Sequence, residues 1–183
     1  MIKNKDPMKL SFFLLLLLTS TLSWSKTYTI KKGHHSSSGI HSGLFVSSEL
    51  SIKVKFDKSA YYTTKLPANQ WAINKLFGFS DCFNHHHTNS ARFGWRYLNS
   101  KLELMAYNYV KKQRWEEKIG DLKIDQWHDM KIKMDGSNYL FTFAGKTLKM
   151  PRGCSSKRAN GYKLYPYFGG QETAPHDITI QIE

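Results

Sequence analysis

Glu49-Leu50-Ser51-Ile52-Lys53-Val54-Lys55-Phe56 alternates without a break, apolar at even positions and polar at odd ones. Successive side chains of an extended strand point to opposite faces, so a period of two predicts a strand with one buried face and one wet face. Trp127-His128-Asp129-Met130-Lys131-Ile132-Lys133-Met134 repeats the pattern. Asp135-Gly136 then separates it from the apolar-rich Ser137-Asn138-Tyr139-Leu140-Phe141-Thr142-Phe143, which predicts a hairpin. Thr147-Leu148-Lys149-Met150 follows, and Asp177-Ile178-Thr179-Ile180-Gln181-Ile182 alternates again near the end. Further strands are predicted at 27–31, 60–63, 70–77, 90–98, 101–110 and 162–168. The helical period of 3.6 is nearly missing. Many short strands predict an all-β, antiparallel sandwich in one domain.

The 183 residues suffice for a sizeable core, and 40% hydrophobic with 14% aromatic content excludes intrinsic disorder. Lys3, Lys5 and Lys9 precede an apolar run from Leu10 to Leu18, and Ser23-Trp24-Ser25 closes the segment with small residues. That order of basic, apolar and small residues predicts a cleaved export leader over 1–25, since the run is shorter than a membrane span. A secreted or periplasmic protein follows, with no stable membrane insertion. The rest divides into 26–46, a first strand with a His/Ser-rich loop predicted to be flexible, and 47–183, the sandwich proper.

Lys and Arg number 27 against 14 Asp and Glu, and removing 1–25 leaves a net charge of about +11. A positive field of that size favours polyanionic partners. Export and the lack of a basic run or recognition motif argue against nucleic acid. Cys82 and Cys154, an even pair in an exported chain, predict a disulfide tying the loop at 81–87 to that at 151–157; two buried free thiols are the alternative.

Asn74-Lys75-Leu76-Phe77-Gly78-Phe79, Asn89-Ser90-Ala91-Arg92-Phe93-Gly94-Trp95-Arg96, Leu102-Glu103-Leu104-Met105-Ala106-Tyr107-Asn108-Tyr109 and Tyr165-Pro166-Tyr167-Phe168-Gly169-Gly170-Gln171 succeed one another before the last strand opened by Asp177. This layout resembles the bacterial secreted concanavalin A-like jelly rolls, among them laminin-G-like modules, laminarinase-type glucanases and polysaccharide lyases. The resemblance implies two curved antiparallel sheets with carbohydrate lying across one face. It also implies a structural Ca²⁺ at the start of the last strand, where Asp177 stands; the residue types themselves require no cofactor.

Glycoside hydrolysis needs two carboxylates flanking the scissile bond. The one close acidic pair, Glu116-Glu117, would point to opposite faces of a strand, and Glu103 stands alone, so hydrolysis is disfavoured. A polysaccharide lyase instead needs a cation or amide to neutralise a uronate carboxylate and a Tyr or His to move the proton. Asn74, Lys75, His85, His86, His87, Arg92, Arg96, Tyr107 and Tyr109 supply those types. As strands, 90–97 places Arg92, Gly94 and Arg96 on one face, and 101–110 places Glu103, Met105, Tyr107 and Tyr109 on one face. The residues expected in a lyase centre are Arg92, His85, Tyr107 and Tyr109. His85-His86-His87 also suggests a transition-metal site, for which no third ligand stands at a recognisable spacing.

Trp71, Trp95, Trp115, Trp127 and the many tyrosines exceed what a core of this size needs, and exposed rings give sugars a flat platform. Phe141, Phe143 and Trp127 are assigned to the core. The sequence reading is a carbohydrate-binding sandwich for an acidic polysaccharide or envelope glycan, gripped by Asn74, Lys75, His87, Arg92, Arg96, Trp95, Trp115, Tyr107 and Tyr109. The alternatives are a uronate lyase and a structural or adhesion protein of the envelope with no sugar site.

Overall fold

The computed structural model describes residues 25–39 and 41–183, so the leader predicted over 1–25 lies almost wholly outside the described residues. Twelve strands form: β1 (Lys26–Ile30), β2 (Leu44–Ser47), β3 (Glu49–Phe56), β4 (Asn74–Ser80), β5 (Ser90–Leu98), β6 (Lys101–Val110), β7 (Gln113–Leu122), β8 (His128–Asp135), β9 (Asn138–Phe143), β10 (Lys146–Pro151), β11 (Ala159–Leu164) and β12 (Ile178–Ile182). They make two antiparallel sheets in the orders β1-β12-β3-β8-β9-β10 and β2-β11-β4-β5-β6-β7. The segment 26–46 contributes a strand to each sheet, and so builds the sandwich with the rest.

The alternating stretches set the first sheet. In β3 Leu50, Ile52, Val54 and Phe56 are buried while Glu49, Ser51 and Lys53 are exposed. β8 and β9 bury Met130, Ile132, Met134, Tyr139, Phe141 and Phe143 in the same way. Asp135 pairs with Asn138, so the tight loop is Gly136-Ser137, and Gly136 supplies its positive φ of 58°. From the second sheet Phe79, Phe93, Trp95 and Leu104 meet this face, each with no exposed surface. Every fully buried side chain of this size contributes about 1.5–3 kcal/mol.

Four expectations shift. The 3₁₀ turn Lys58–Ala60 and the segment after it replace the strand expected at 60–63, and a second 3₁₀ turn (Pro67–Trp71) leaves the strand expected at 70–77 to begin at Asn74. Trp127, expected inside, is 39% exposed with the Lys55 ammonium 5.0 Å from its ring centroid. Trp95, expected at the binding surface, is a core residue packed on Phe56 and Tyr62. Its parity explains this: Trp95 shares the inner face with Ala91 and Phe93, whereas Arg92 and Arg96 point outward.

Cys82 and Cys154 are disulfide-bonded, with Cα atoms 6.0 Å apart. Beside the bridge, Asp81 and Arg152 form an ion pair at 2.7 Å whose side chains are both fully buried. Asp81 also accepts from the Tyr139 hydroxyl and from the backbone N–H groups of Cys82 and Asn160. One carboxylate thus fixes the loop after β4, the start of β11 and the core of the opposite sheet.

Candidate functional site

β5 and β6 break the alternation, being buried on both faces. Their outer face is roofed. In register, Ser90 faces Tyr109, Arg92 faces Tyr107, Gly94 faces Met105 and Arg96 faces Glu103, which forms one outward row across the two strands. Ile73, Met105 and Tyr107 make a small apolar cluster on this face, with Tyr109 against it. The segment after β11 crosses above, joined to β4 by reciprocal backbone hydrogen bonds between Lys75 and Tyr167 at 2.8 and 2.9 Å. A bulge between Lys75 and Gly78 accommodates it. A Cβ on Gly78 would stand 2.3 Å from that of Arg92, so only glycine permits this approach.

The result is a cleft of about 590 Å³ on the outer face. Its floor and walls include Lys75, Arg92, Arg114 and Lys163, with His41, His86 and His87 and the rings of Tyr107, Tyr109, Tyr162, Tyr165 and Tyr167. None of its lining residues is acidic. The His/Ser-rich loop supplies part of the wall: His35 stacks on Tyr167 at 5.2 Å and His41 on Tyr165 at 4.6 Å. A larger hollow, about 800 Å³, lies by β3, β8 and β9, but its Lys53 and Lys131 pair with Asp129 and Glu49. Charge balance there leaves no field to select a ligand.

Arg92 is the unusual group. Its residue is only 6% exposed, its Nε has no hydrogen-bond partner, and among the described residues it makes no ion pair. The guanidinium instead lies 5.3 Å from the Tyr107 ring centroid, and the Lys75 ammonium lies 4.9 Å from the same ring. Burial lowers the pKa of Arg92. Burial, with Arg92 and Arg114 nearby, brings Lys75 down to about 8. Burial and Arg92 lower His86 to about 4 and also depress His87, so both imidazoles are neutral at pH 7. Burial raises the Tyr107 hydroxyl above its ordinary range, keeping it protonated.

Sequence reasoning missed Tyr162. Its hydroxyl shares a hydrogen bond of 2.8 Å with His86 Nδ1 and accepts the His86 backbone N–H at 3.2 Å. In the neutral tautomer with its proton on Nε2, His86 accepts at Nδ1 and Tyr162 donates. Two positions apart from Leu164 on an edge-side strand, Tyr162 had no distinguishing signal; only the turn at 85–88 brings His86 to it.

Of the residues named from sequence, Lys75, His86, His87, Arg92, Tyr107 and Tyr109 line this cleft. The others do not. His85 is exposed outside it, its ring tilted 33° against that of His86 with centroids 4.1 Å apart, because 85–88 is a turn and not a strand. Asn74 is fully buried; its amide donates to Tyr62 Oη and its carbonyl oxygen accepts the Gly169 N–H, so it positions the roof. Trp115 pairs with Asn108 and therefore lies on the opposite face of the sheet from Tyr107 and Tyr109, exposed at the edge strand. Arg96 points outward as expected, but Glu103 holds its Nε at 2.7 Å.

Asp177 does not suit Ca²⁺: one carboxylate oxygen accepts from Lys31 Nζ at 2.7 Å and the other from Lys32 N at 2.8 Å. Each oxygen keeps a second lone pair, but the Lys31 ammonium already neutralises the carboxylate charge that a hard cation needs. The ring nitrogens of His85, His86 and His87 lie within 4.8 Å of one another, yet the Arg92 and Lys75 charges oppose any cation bound there.

By sequence, the chain matches no protein-family model and no curated protein. By structure it is similar to the alginate lyase AlyC3, with TM-score 0.59 and 11% identity over 87% of this chain and 72% of that one. AlyC3 in complex with dimannuronate gives a TM-score of 0.52 at 9% identity, covering 86% and 71%. The apo Crh5 transglycosylase gives 0.50 at 7% identity over 86% and 71%. The fold is a concanavalin A-like sandwich. At these identities the likeness extends to architecture alone, and the chemistry rests on the cleft.

Proposed function

We propose that the protein binds an acidic polysaccharide, a polymer of uronates, in the Arg92 cleft. The observation that carries this is the buried Arg92 guanidinium without a carboxylate partner. Taking a charge from water costs several kcal/mol unless a partner is supplied, and a bound sugar carboxylate supplies one with the two-oxygen geometry that guanidinium favours. Lys75 and Lys163 add a field that draws the anion in, Arg114 being paired with Glu116 at 3.0 Å, while the tyrosine rings offer sugar faces an apolar platform. A neighbour of the same fold named as an alginate lyase, seen with dimannuronate, supports a carboxylate-bearing chain as ligand. The leader-like stretch at 1–25 and the disulfide support secretion, where such polymers are met. A cleft in place of a flat face argues against a purely structural envelope role.

The test is binding of alginate, polygalacturonate and heparin-like chains against a neutral glucan at low salt, with wild type and Arg92→Ala. Uronate binding that disappears in the variant is the expected result. Equal binding of the neutral glucan, or no loss in the variant, overturns the reading.

The Tyr162–His86 pair favours a second reading, β-elimination. Acting as the phenolate beside the Arg92 charge, Tyr162 removes the hydrogen at C5 of a uronate whose carboxylate Arg92 neutralises, while His86, with its pKa of about 4, holds the tyrosine oxygen in place and takes no proton. The C–H pair becomes the C4–C5 double bond, the C4–O bond breaks, and the departing oxygen takes a proton back from the tyrosine. Atoms and charge balance without a metal or cofactor.

A further inference from the structure

The outward row on β5 continues past the cleft. Arg96 lies four residues from Arg92 on the same face, about 13 Å away at the rise of a strand. Its guanidinium stands 5.3 Å from the ring centroid of Trp71, which is 59% exposed. Here the charges cancel locally: Glu103 accepts from Arg96 at 2.7 Å and from Lys118 at 2.8 Å, and Lys118 also reaches Asp121 at 2.7 Å. Unlike Arg92, then, Arg96 needs no outside anion.

What this end of the row presents is a ring held in place. Gln70 donates to the carbonyl oxygens of Tyr62 and Tyr97 and accepts from Thr64 N, pinning the 3₁₀ turn that carries Trp71. Glu172 accepts from Lys65 N, Leu66 N and Asn69 Nδ2, bracing the same turn from the other side. Beside Trp71 lies a hollow of about 380 Å³ bounded by Tyr97, Thr63 and Asn99, and Tyr61 stacks on Tyr97 at 4.7 Å. A large indole kept in water by hydrogen bonds on the turn that carries it, with Arg96 donating to the Trp71 carbonyl oxygen at 3.3 Å, is pre-organised for a flat apolar partner with polar edges.

We propose that Trp71, backed by Arg96, is a second sugar subsite that stacks a pyranose ring of the polysaccharide whose carboxylate is held at Arg92. The subsite rests on that reading of the cleft and adds a length requirement. Because charge is balanced around it, it takes an acidic or a neutral ring alike. A short oligomer reaches Arg92 only, and a longer one spans both.

The experiment compares alginate and polygalacturonate oligomers of two and six residues by calorimetry on the whole protein. In the wild type the hexamer binds more tightly than the dimer. Trp71→Ala leaves dimer affinity unchanged and weakens the hexamer by roughly three- to tenfold, and Trp71→Tyr restores most of it. Hexamer affinity unchanged in Trp71→Ala, with binding still lost in Arg92→Ala, overturns the subsite and leaves the cleft. If the wild type binds neither oligomer, the reading of the cleft fails and the subsite falls with it.

Discussion

Arg92 stands directly across from Tyr107 in the β5–β6 register, its guanidinium 5.3 Å from the ring centroid and without an acidic partner among the described residues. A protein in which ligand recognition was not at stake would gain by pairing or replacing such a charge. Arg152, in the same molecule, shows the paired alternative, held by Asp81 at 2.7 Å.

Replacing Arg92 with methionine should therefore separate function from stability. Uronate affinity falls by at least about thirtyfold, the cost of losing one partner of a buried charge pair. Stability to urea is unchanged or raised, because an uncompensated charge has been removed. Parallel loss of stability and binding would assign Arg92 a structural role.

Lys75 gives the cleft a pH dependence. With its pKa near 8, it is charged below that pH and neutral above it, while a uronate carboxylate is ionised throughout. Affinity therefore falls as pH rises through about 8, and Lys75→Met removes that step. For folding the sign is opposite. The unfolded lysine titrates near 10.5, so between about 8 and 10.5 the unfolded chain binds more protons, and the contribution of Lys75 to stability rises with pH. Affinity titrations and urea midpoints across this range check both directions.

Tyr162→Phe distinguishes binding from elimination. The variant keeps the ring and the Arg92 contact, so uronate affinity stays within about threefold of wild type, a range that losing one neutral hydrogen bond allows. If the wild type releases unsaturated uronate ends, seen by their ultraviolet absorbance, the variant releases none. A variant that still forms them removes Tyr162 from the chemistry.

Asp81→Asn leaves Arg152 buried without its charge partner and should cost about 3–5 kcal/mol in urea unfolding. Replacing Cys82 and Cys154 by serine should cost about 4 kcal/mol through the freed loop of 72 residues. Because Cys82 N donates to Asp81 at 2.6 Å, the two sites share a network, and the combined variant should lose less than the sum of the separate losses.

The sandwich is legible in the local pattern of residues. Strands β3, β5, β6 and β8 fall where period-two patterning or β-rich composition places them, and parity alone puts Arg92 with Tyr107 and Tyr109 on one side, since neighbouring residues in a strand must face opposite ways. Residue type, and not parity, placed Trp95, Trp115 and Asn74 at the site; parity says which residues share a face and not which face meets the other sheet. Tertiary structure decided that, along with the roof over β5 and β6, the turn that exchanged His85 for His86, and the meeting of His86 with Tyr162 across 76 positions of chain. Those contacts depend on how distant segments are folded onto one another, and no local period encodes that.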